Sequence, residues 1–477
     1  MGLNGVWMVW LLVGGCNEPT SRNHDTFEEG ELEISVQAHS LDVVTLPGDA
    51  ADGVLTCTLD VEPTEIHVAS AQHVDTVIEN GLRVRGLLAD SVYTCTWEGP
   101  AVSTWGRVRT GMAAENIPEL VLTGDPAAIV GTYTLFNHLE KGEDPNQQKL
   151  LIVDPQGRVR WSYLVPYKAA GDLDATLLGG GQILYGGGYG GKPQIVNLDG
   201  EVVFRSGGPL TGDRYHHHVE PVGESDILAL VTVQNSHEGD TFTGFGVEMF
   251  DRLTRELHWS WNSQVAVDQG WPLVSGNDPF HANWVGVEER DDGARTWVNM
   301  RTPSRLCRFV QETGELDWCL GAGGDYRLLD MDGSELSDQE WFYHQHAPEF
   351  SGDRVLIHDN GTNRPEGHFS RVLELEIDEV AMTATKTWEW TEPGWQEPIW
   401  GDVDIVGDHV LITRGHCVDC ARANPDSNSS LVELDREREE VVWQLDVVDP
   451  KGGLYRSQRL DGCDVFYNAK WCAQVME

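Results

Sequence analysis

The chain has 477 residues, with 77 Asp and Glu against 33 Lys and Arg and a formal net charge of −44 at pH 7. That excess of acid argues against binding of nucleic acid or of an anionic membrane by the body of the protein, and any anionic substrate must be met by a locally positive pocket. The length is more than one core ordinarily serves and predicts two domains.

The chain opens on an apolar run ending in Val13-Gly14-Gly15-Cys16, with polar and acidic residues after it. Residues 1–16 read as a lipoprotein signal peptide with Cys16 as the lipidated mature N-terminus, although no Lys or Arg precedes the run. A membrane span needs about 20 apolar residues, more than this run supplies. Residues 17–30 read as a flexible tether. The expectation is export and a lipid anchor at the bacterial outer membrane, on its periplasmic or surface face, with no other membrane contact. Eight further cysteines fall into the pairs Cys57 and Cys95, Cys307 and Cys319, Cys417 and Cys420, Cys463 and Cys472. Four disulfides in an oxidising compartment are expected; a redox or zinc reading of Cys417 and Cys420 lacks a second CxxC. Cys307 and Cys319 flank the turn "ETGE" and predict a cross-strand pair in one hairpin.

Residues 31–112 alternate in short strands such as "ELEISVQAHS", "GVLTCTLDV" and "SVYTCTWEG". Strands with turn signals at this spacing predict a small β-sandwich of the fibronectin III or immunoglobulin type, with Cys57 and Cys95 expected to pin its two sheets.

From 120 to 477 one pattern recurs six times, from "LLIVDPQGRVRWSY" to "LVELDREREEVVWQL". Each copy is an apolar strand, a turn, and a strand ending in an aromatic: Trp161, Phe204, Trp259, Trp318, Trp388 and Trp443. Their separations of 43 to 70 residues suit blades with loops of varied length and predict a six-bladed β-propeller, the aromatics packing between blades. The whole fold class is therefore all-β.

Between the hairpins lies a second element, a polar start followed by an apolar strand. Its polar start is Asp in the first and last copies and His in the middle three, at His217, His281 and His346. The innermost strand of a blade lines the central channel, so one slot in three neighbouring blades aims three imidazoles at a common volume. Such a cluster can hold a metal. It can instead bind a tetrahedral oxyanion, with Arg301 as the cation and one neutral His as nucleophile. Trp271, Trp284, Trp341, Trp395 and Trp400 lie in loops beside these slots, where they pack the rim or stack on an aryl group. "LLDMDGSELSDQE" lacks the end ligands of an EF-hand, and "GGGYGGK" precedes no helix.

The segments "DPFHANWVGVEERDDGARTWVNMRTPSRLCRFVQETGELDWCLG", "QHAPEFSGDRVLIHDNGTNRPEGHFSRVLELEID" and "HHHVEPVGESDIL" resemble, in order, the His-x-Asn, Gln-His and His-His-Asp segments of bacterial arylsulfate sulfotransferases. The resemblance extends over most of residues 120–450 and implies a sandwich followed by a six-bladed propeller. It implies that an aryl sulfate gives its sulfuryl group to a phenolic acceptor in a ping-pong exchange, without a nucleotide sulfate donor and without a cofactor or metal. His346 would be the nucleophile, His281 and Arg301 would bind the sulfuryl oxygens, and His217 would assist the donor or leaving phenolate. His216, Asn283 and Trp284 would contact substrate, and a homodimer is one expected state. The chain departs from the family at His218, which stands for the Asp of His-His-Asp and leaves His216 and His217 competing for one role. Arg301 also follows Asn299 and Met300 rather than a Ser pair. A binding propeller without turnover and a metal-dependent hydrolase on the same histidines are the alternatives.

Overall fold

The computed structural model describes residues 33–44, 53–70, 77–78, 81–98, 103–114, 117–140, 147–166, 172–188, 191–206, 214–271, 273–416, 427–468 and 472. The signal segment, Cys16, the tether and the Cys417 and Cys420 pair lie outside them. Among the described residues no helix is long and apolar enough to cross a membrane. The chain divides into two compact units, one of Met1–Ile117, Arg158–Trp161 and Asp461–Glu477, the other of Pro118–Gly157 and Ser162–Leu460.

In the first unit, the strands Val54–Leu59 and Val92–Glu98 alternate buried and more exposed residues, as half-buried strands must. They sit at the centre of a four-stranded sheet with Glu62–Ser70 and Ser103–Arg109, and a second sheet comprises Glu33–Val36, Ser40–Val44, Gly81–Arg85 and Val77–Ile78. Leu41, Leu82 and Val84 of one sheet share a core with Leu55, Tyr93 and Trp97 of the other. Cys57 and Cys95 are directly opposed on neighbouring strands of a single sheet and are bonded there, so the disulfide does not join the two sheets as expected. Cys463 and Cys472 are also bonded.

The second unit is a ring of six sheets. Strands such as Tyr133–Glu140, Arg295–Met300 and Ser429–Asp435 are buried along nearly their whole length. Continuous burial of that kind requires covering on both faces, which neighbouring blades supply. The blades, written from the axis outward, begin with Ser457–Leu460, Tyr133–Glu140 and Gln147–Val153. The second is Leu173–Leu178, Gln182–Gly187, Gly191–Asn197 and Val202–Arg205. The third and fourth start with Arg214–Val222 and Ala282–Glu288, the fifth and sixth with His346–Ser351 and Asp402–Val406. Both ends of the propeller chain close the ring: Ser457–Leu460 returns to the innermost place of the first blade, and Glu119–Gly124 adds the outermost strand of the sixth.

Hydrophobic clusters fill the space between consecutive blades, as where Leu228, Phe245 and Trp261 of the third meet Val285, Val298 and Phe309 of the fourth. Each fully buried side chain of this size contributes about 1.5–3 kcal/mol. Phe204 and Trp318 are core members, while Trp259 and Trp388 pack against the clusters from partly buried positions. Trp443 donates from Nε1 to the Pro155 carbonyl at 2.8 Å, tying the sixth blade to the first. Cys307 and Cys319 are cross-strand partners in the fourth blade and are bonded.

Candidate active site

Three innermost strands carry irregularities beside their histidines. In the third blade Tyr215 pairs with Val231 and Val219 with Ala229, so two extra residues bulge out where His216, His217 and His218 stand. In the fourth, Ala282 pairs with Met300 but Trp284 with Asn299, and in the fifth His346 pairs with His358 but Glu349 with Leu356, one extra residue each. A bulge re-aims side chains out of the ladder. His217, His281, His344 and Ala347 accordingly hold positive φ of 60°, 45°, 53° and 43°. Left-handed backbone at non-glycine residues is costly and concentrates at functional sites.

His346 is buried, and its Nδ1 lies 2.6 Å from Asn360 Oδ1. Asn360 donates from Nδ2 to the carbonyls of Glu397 at 2.9 Å and Trp400 at 2.8 Å, which fixes its amide with the oxygen toward the ring. His346 must therefore carry its proton on Nδ1 and present a bare Nε2. Burial first, and then the charge of Arg301, hold its pKa well below the ordinary value. The same two causes, with His281, bring His344 down to about 4. The Arg301 backbone N–H donates to the His281 carbonyl at 3.0 Å and its Nη2 to the Pro398 carbonyl at 3.2 Å, so the guanidinium is held near both imidazoles.

Asp278 accepts from the backbone N–H of His281 at 2.9 Å and faces its Nδ1 at 2.8 Å. Burial opposes ionisation of Asp278, but the bonds with His281 prevail and its pKa is lowered. The rings of His217 and His281 meet edge to face at 5.0 Å, and those of His217 and His346 each meet Tyr455 edge to face, at 5.9 and 6.4 Å. His217 titrates far below the usual range through burial and then the neighbouring His216, His281 and His346. His217 and His281 thus meet directly, His346 shares Tyr455 with His217, the charge of Arg301 acts on His346, and His216 lies beside His217.

The other expected site residues lie elsewhere. Asn283 is fully buried and joined at both ends: Oδ1 accepts from Asn299 at 2.6 Å, and Nδ2 donates to the Gln345 carbonyl at 2.9 Å. Gln345 returns a bond from Nε2 to Asn299 Oδ1 at 2.7 Å, completing an amide network between the fourth and fifth blades. Trp284 packs beside His218 and Phe350, with ring separations of 5.6 and 6.0 Å. His218 turns from the cluster to Asp174 at 2.6 Å and Glu220 at 3.3 Å; burial opposes its charge, yet these carboxylates raise its pKa. Trp271, Trp341 and Trp395 are core residues, which leaves Trp284 and Trp400 partly exposed.

Asn360, Asp278 and Tyr455 were not singled out from sequence. Asp278 had a local signal, three residues before His281, and Asn360 lies in the sequence Asp359-Asn360-Gly361. Among the described residues no group of three or more His, Cys, Asp or Glu is placed to hold a metal ion. A bare, uncharged nitrogen beside a fixed guanidinium suits attack on an anionic tetrahedral centre.

The fold is thus a six-bladed propeller whose innermost strands carry this histidine cluster. Residues 129–456 match the family model described as arylsulfotransferase (ASST), and the chain belongs to that family. It is an aryl-sulfate sulfotransferase by class, with aryl sulfates as its substrates. No curated protein matches the chain. Solved structures similar to it include the dihydro-heme d1 dehydrogenase NirN, at 9% identity over 89% of this chain and 80% of that one, with a TM-score of 0.33. Another is the β-propeller domain of Myceliophteria thermophila Cps50 (Swd1), at 13% identity over 72% of this chain and 89% of that one, with a TM-score of 0.33. A third is a europium-containing methanol dehydrogenase, at 10% identity over 87% and 78%, also with a TM-score of 0.33. Likenesses at this level carry no argument about what the chain does.

Proposed function

We propose that the protein moves a sulfuryl group from an aryl sulfate to a phenol through a covalent sulfo-His346. His346 Nε2 attacks the sulfur in line with the aryl oxygen; the S–N bond forms as the S–O bond breaks, and the phenolate leaves with the electron pair. Charge on the equatorial oxygens is met by fixed donors, His281 and Arg301, as phosphoryl transfer is stabilised. The acceptor phenol then attacks the same sulfur, and the S–N bond returns its pair to Nε2. The proton bookkeeping falls to His217.

The observation that carries this reading is the bond of Asn360 to His346 Nδ1, which leaves Nε2 bare and uncharged beside Arg301. Protein outside the cytoplasm is the companion proposal, supported by three disulfides among the described residues, with Cys16 as the lipid anchor. His346→Ala should abolish both phenol release and transfer while the melting temperature and circular dichroism stay at wild-type values. Transfer by a folded His346→Ala protein would remove this residue from the reaction.

A further inference from the structure

His216 stands beside the proposed machinery, buried, with its Nδ1 2.6 Å from Nδ1 of His217. Two facing ring nitrogens can share only one proton, so the pair has a direction. His216 also makes a hydrogen bond with the Val231 backbone that favours its protonated form. With Nδ1 turned to His217, the nitrogen left for the Val231 carbonyl is Nε2; a neutral His216 that gives its one proton there keeps Nδ1 as an acceptor, and the shared proton then belongs to His217. Asp172, also buried, places Oδ2 3.3 Å from the same His217 nitrogen, a second group that accepts there when ionised.

The backbone makes room for this arrangement. Gly187 of the second blade has a φ of +93°, and a side-chain carbon there would stand 2.7 Å from the Asp172 carbonyl oxygen and 3.1 Å from the His217 backbone nitrogen. His217 itself sits at a φ of +60°, its ring against His281 and Tyr455 on the side of the cluster.

We propose that His216 is a positioning residue that holds the proton of His217 on Nδ1, so that His217 Nε2 serves as the general base for the acceptor phenol. This rests on the reading of a sulfo-His346 given above. In the second half-reaction the acceptor oxygen bonds to sulfur, the S–N bond to His346 breaks with its electrons returning to Nε2, and the phenol proton passes to His217 Nε2 before release to solvent. The first half-reaction, which expels a phenolate, needs no such base.

The two halves are read separately in the full-length protein, the first as the burst of chromogenic phenol without acceptor, the second as transfer to phenols of graded acidity. In His216→Phe the burst should persist. Transfer to weakly acidic phenols should fall by about 10²-fold or more, the scale of a lost general base, while phenols already ionised at the assay pH react as in the wild type. His216→Asn, whose amide oxygen can accept in place of Nδ1, should recover most of the loss. Equal loss for all acceptors, loss of the burst with the acceptor series, or no loss in His216→Phe would overturn the proposal. A wild-type protein without a burst would instead take down the sulfo-enzyme reading and this inference with it.

Discussion

The proposed nucleophile at residue 346 is defined less by its own chemistry than by two neighbours, one that fixes its proton and one that opposes a second proton. Asn360 accepts from Nδ1 at 2.6 Å, and Arg301 and burial disfavour the imidazolium. With the pKa held well below 6.5, His346 stays neutral as pH falls through the range where an ordinary histidine is protonated. The burst rate should therefore be flat down to about pH 6, with its acid limb below that of a free imidazole. Asn360→Asp keeps an acceptor at Nδ1 but puts a negative charge there, which favours the imidazolium. Its acid limb should move to higher pH, and stopped-flow bursts across pH would show it; an unmoved limb would mean that residue 360 does not set the protonation of His346. Arg301→Gln removes the cation near the sulfuryl oxygens, for an expected loss of about 10²–10³-fold in kcat. Rates within a few-fold of wild type would assign the oxygens to other donors.

At the scale of elements, the bulged innermost strands hold the site, and amide and disulfide links hold the strands. Asn299 lies between Asn283 and Gln345, the residue that precedes His346 in the chain. Asn299→Leu leaves buried amides of both partners unpaired, for a loss of about 1–3 kcal/mol in denaturant unfolding. Activity should fall further than stability alone explains, because Gln345 adjoins the proposed nucleophile. The sequence made the hairpins plain, since apolar strand, turn and aromatic repeat with a period that survives variable loops. It did not reveal the bulges. Tyr215 and Val219 skip two residues relative to Val231 and Ala229, and nothing periodic in "YHHHVEP" marks that skip. For the same reason three histidines in a row could not be sorted: His217 meets the cluster, His216 lies behind it, and His218 pairs with Asp174. The link from Asn360 to His346 joins the two ends of a hairpin and is invisible until the register is known. Cys57 and Cys95 show the converse, a pair correctly matched by sequence whose strands turn out to be neighbours in one sheet.

Across the whole propeller, charge is distributed against the direction that a substrate anion requires. A cavity of about 480 Å³ is lined by residues from the innermost part of every blade, among them Asp174, Glu220, Glu349, Asp402 and Asp404, with Arg456 as a cation among them. Burial, followed by the charge of Asp402, pushes Glu349 up to about 7, although the Ile405 N–H donates to it. The folded state thus keeps a proton that the unfolded chain releases near its ordinary pKa of 4.5. Stability from this group is lost as pH rises between those two values. Glu349→Gln, which cannot ionise, should match wild type at about pH 5 and melt higher than wild type at about pH 8. Equal melting temperatures at both would place Glu349 in a wetter setting. Arg301, beside the buried imidazoles of His344 and His346, is the cation that the proposed site offers to an aryl sulfate. Ring closure was the part of the whole least legible in sequence, because Ser457–Leu460 pairs with a strand more than 300 residues earlier, and a four-residue strand carries little signal of its own.

The central claim is a covalent sulfo-enzyme at His346, and intact mass of the purified protein after brief exposure to a chromogenic aryl sulfate without acceptor tests it most directly. The account predicts one added sulfuryl group, lost on adding a phenol and mapped to the peptide that contains His346. Turnover with an unmodified protein throughout, or an adduct on another residue, would contradict it.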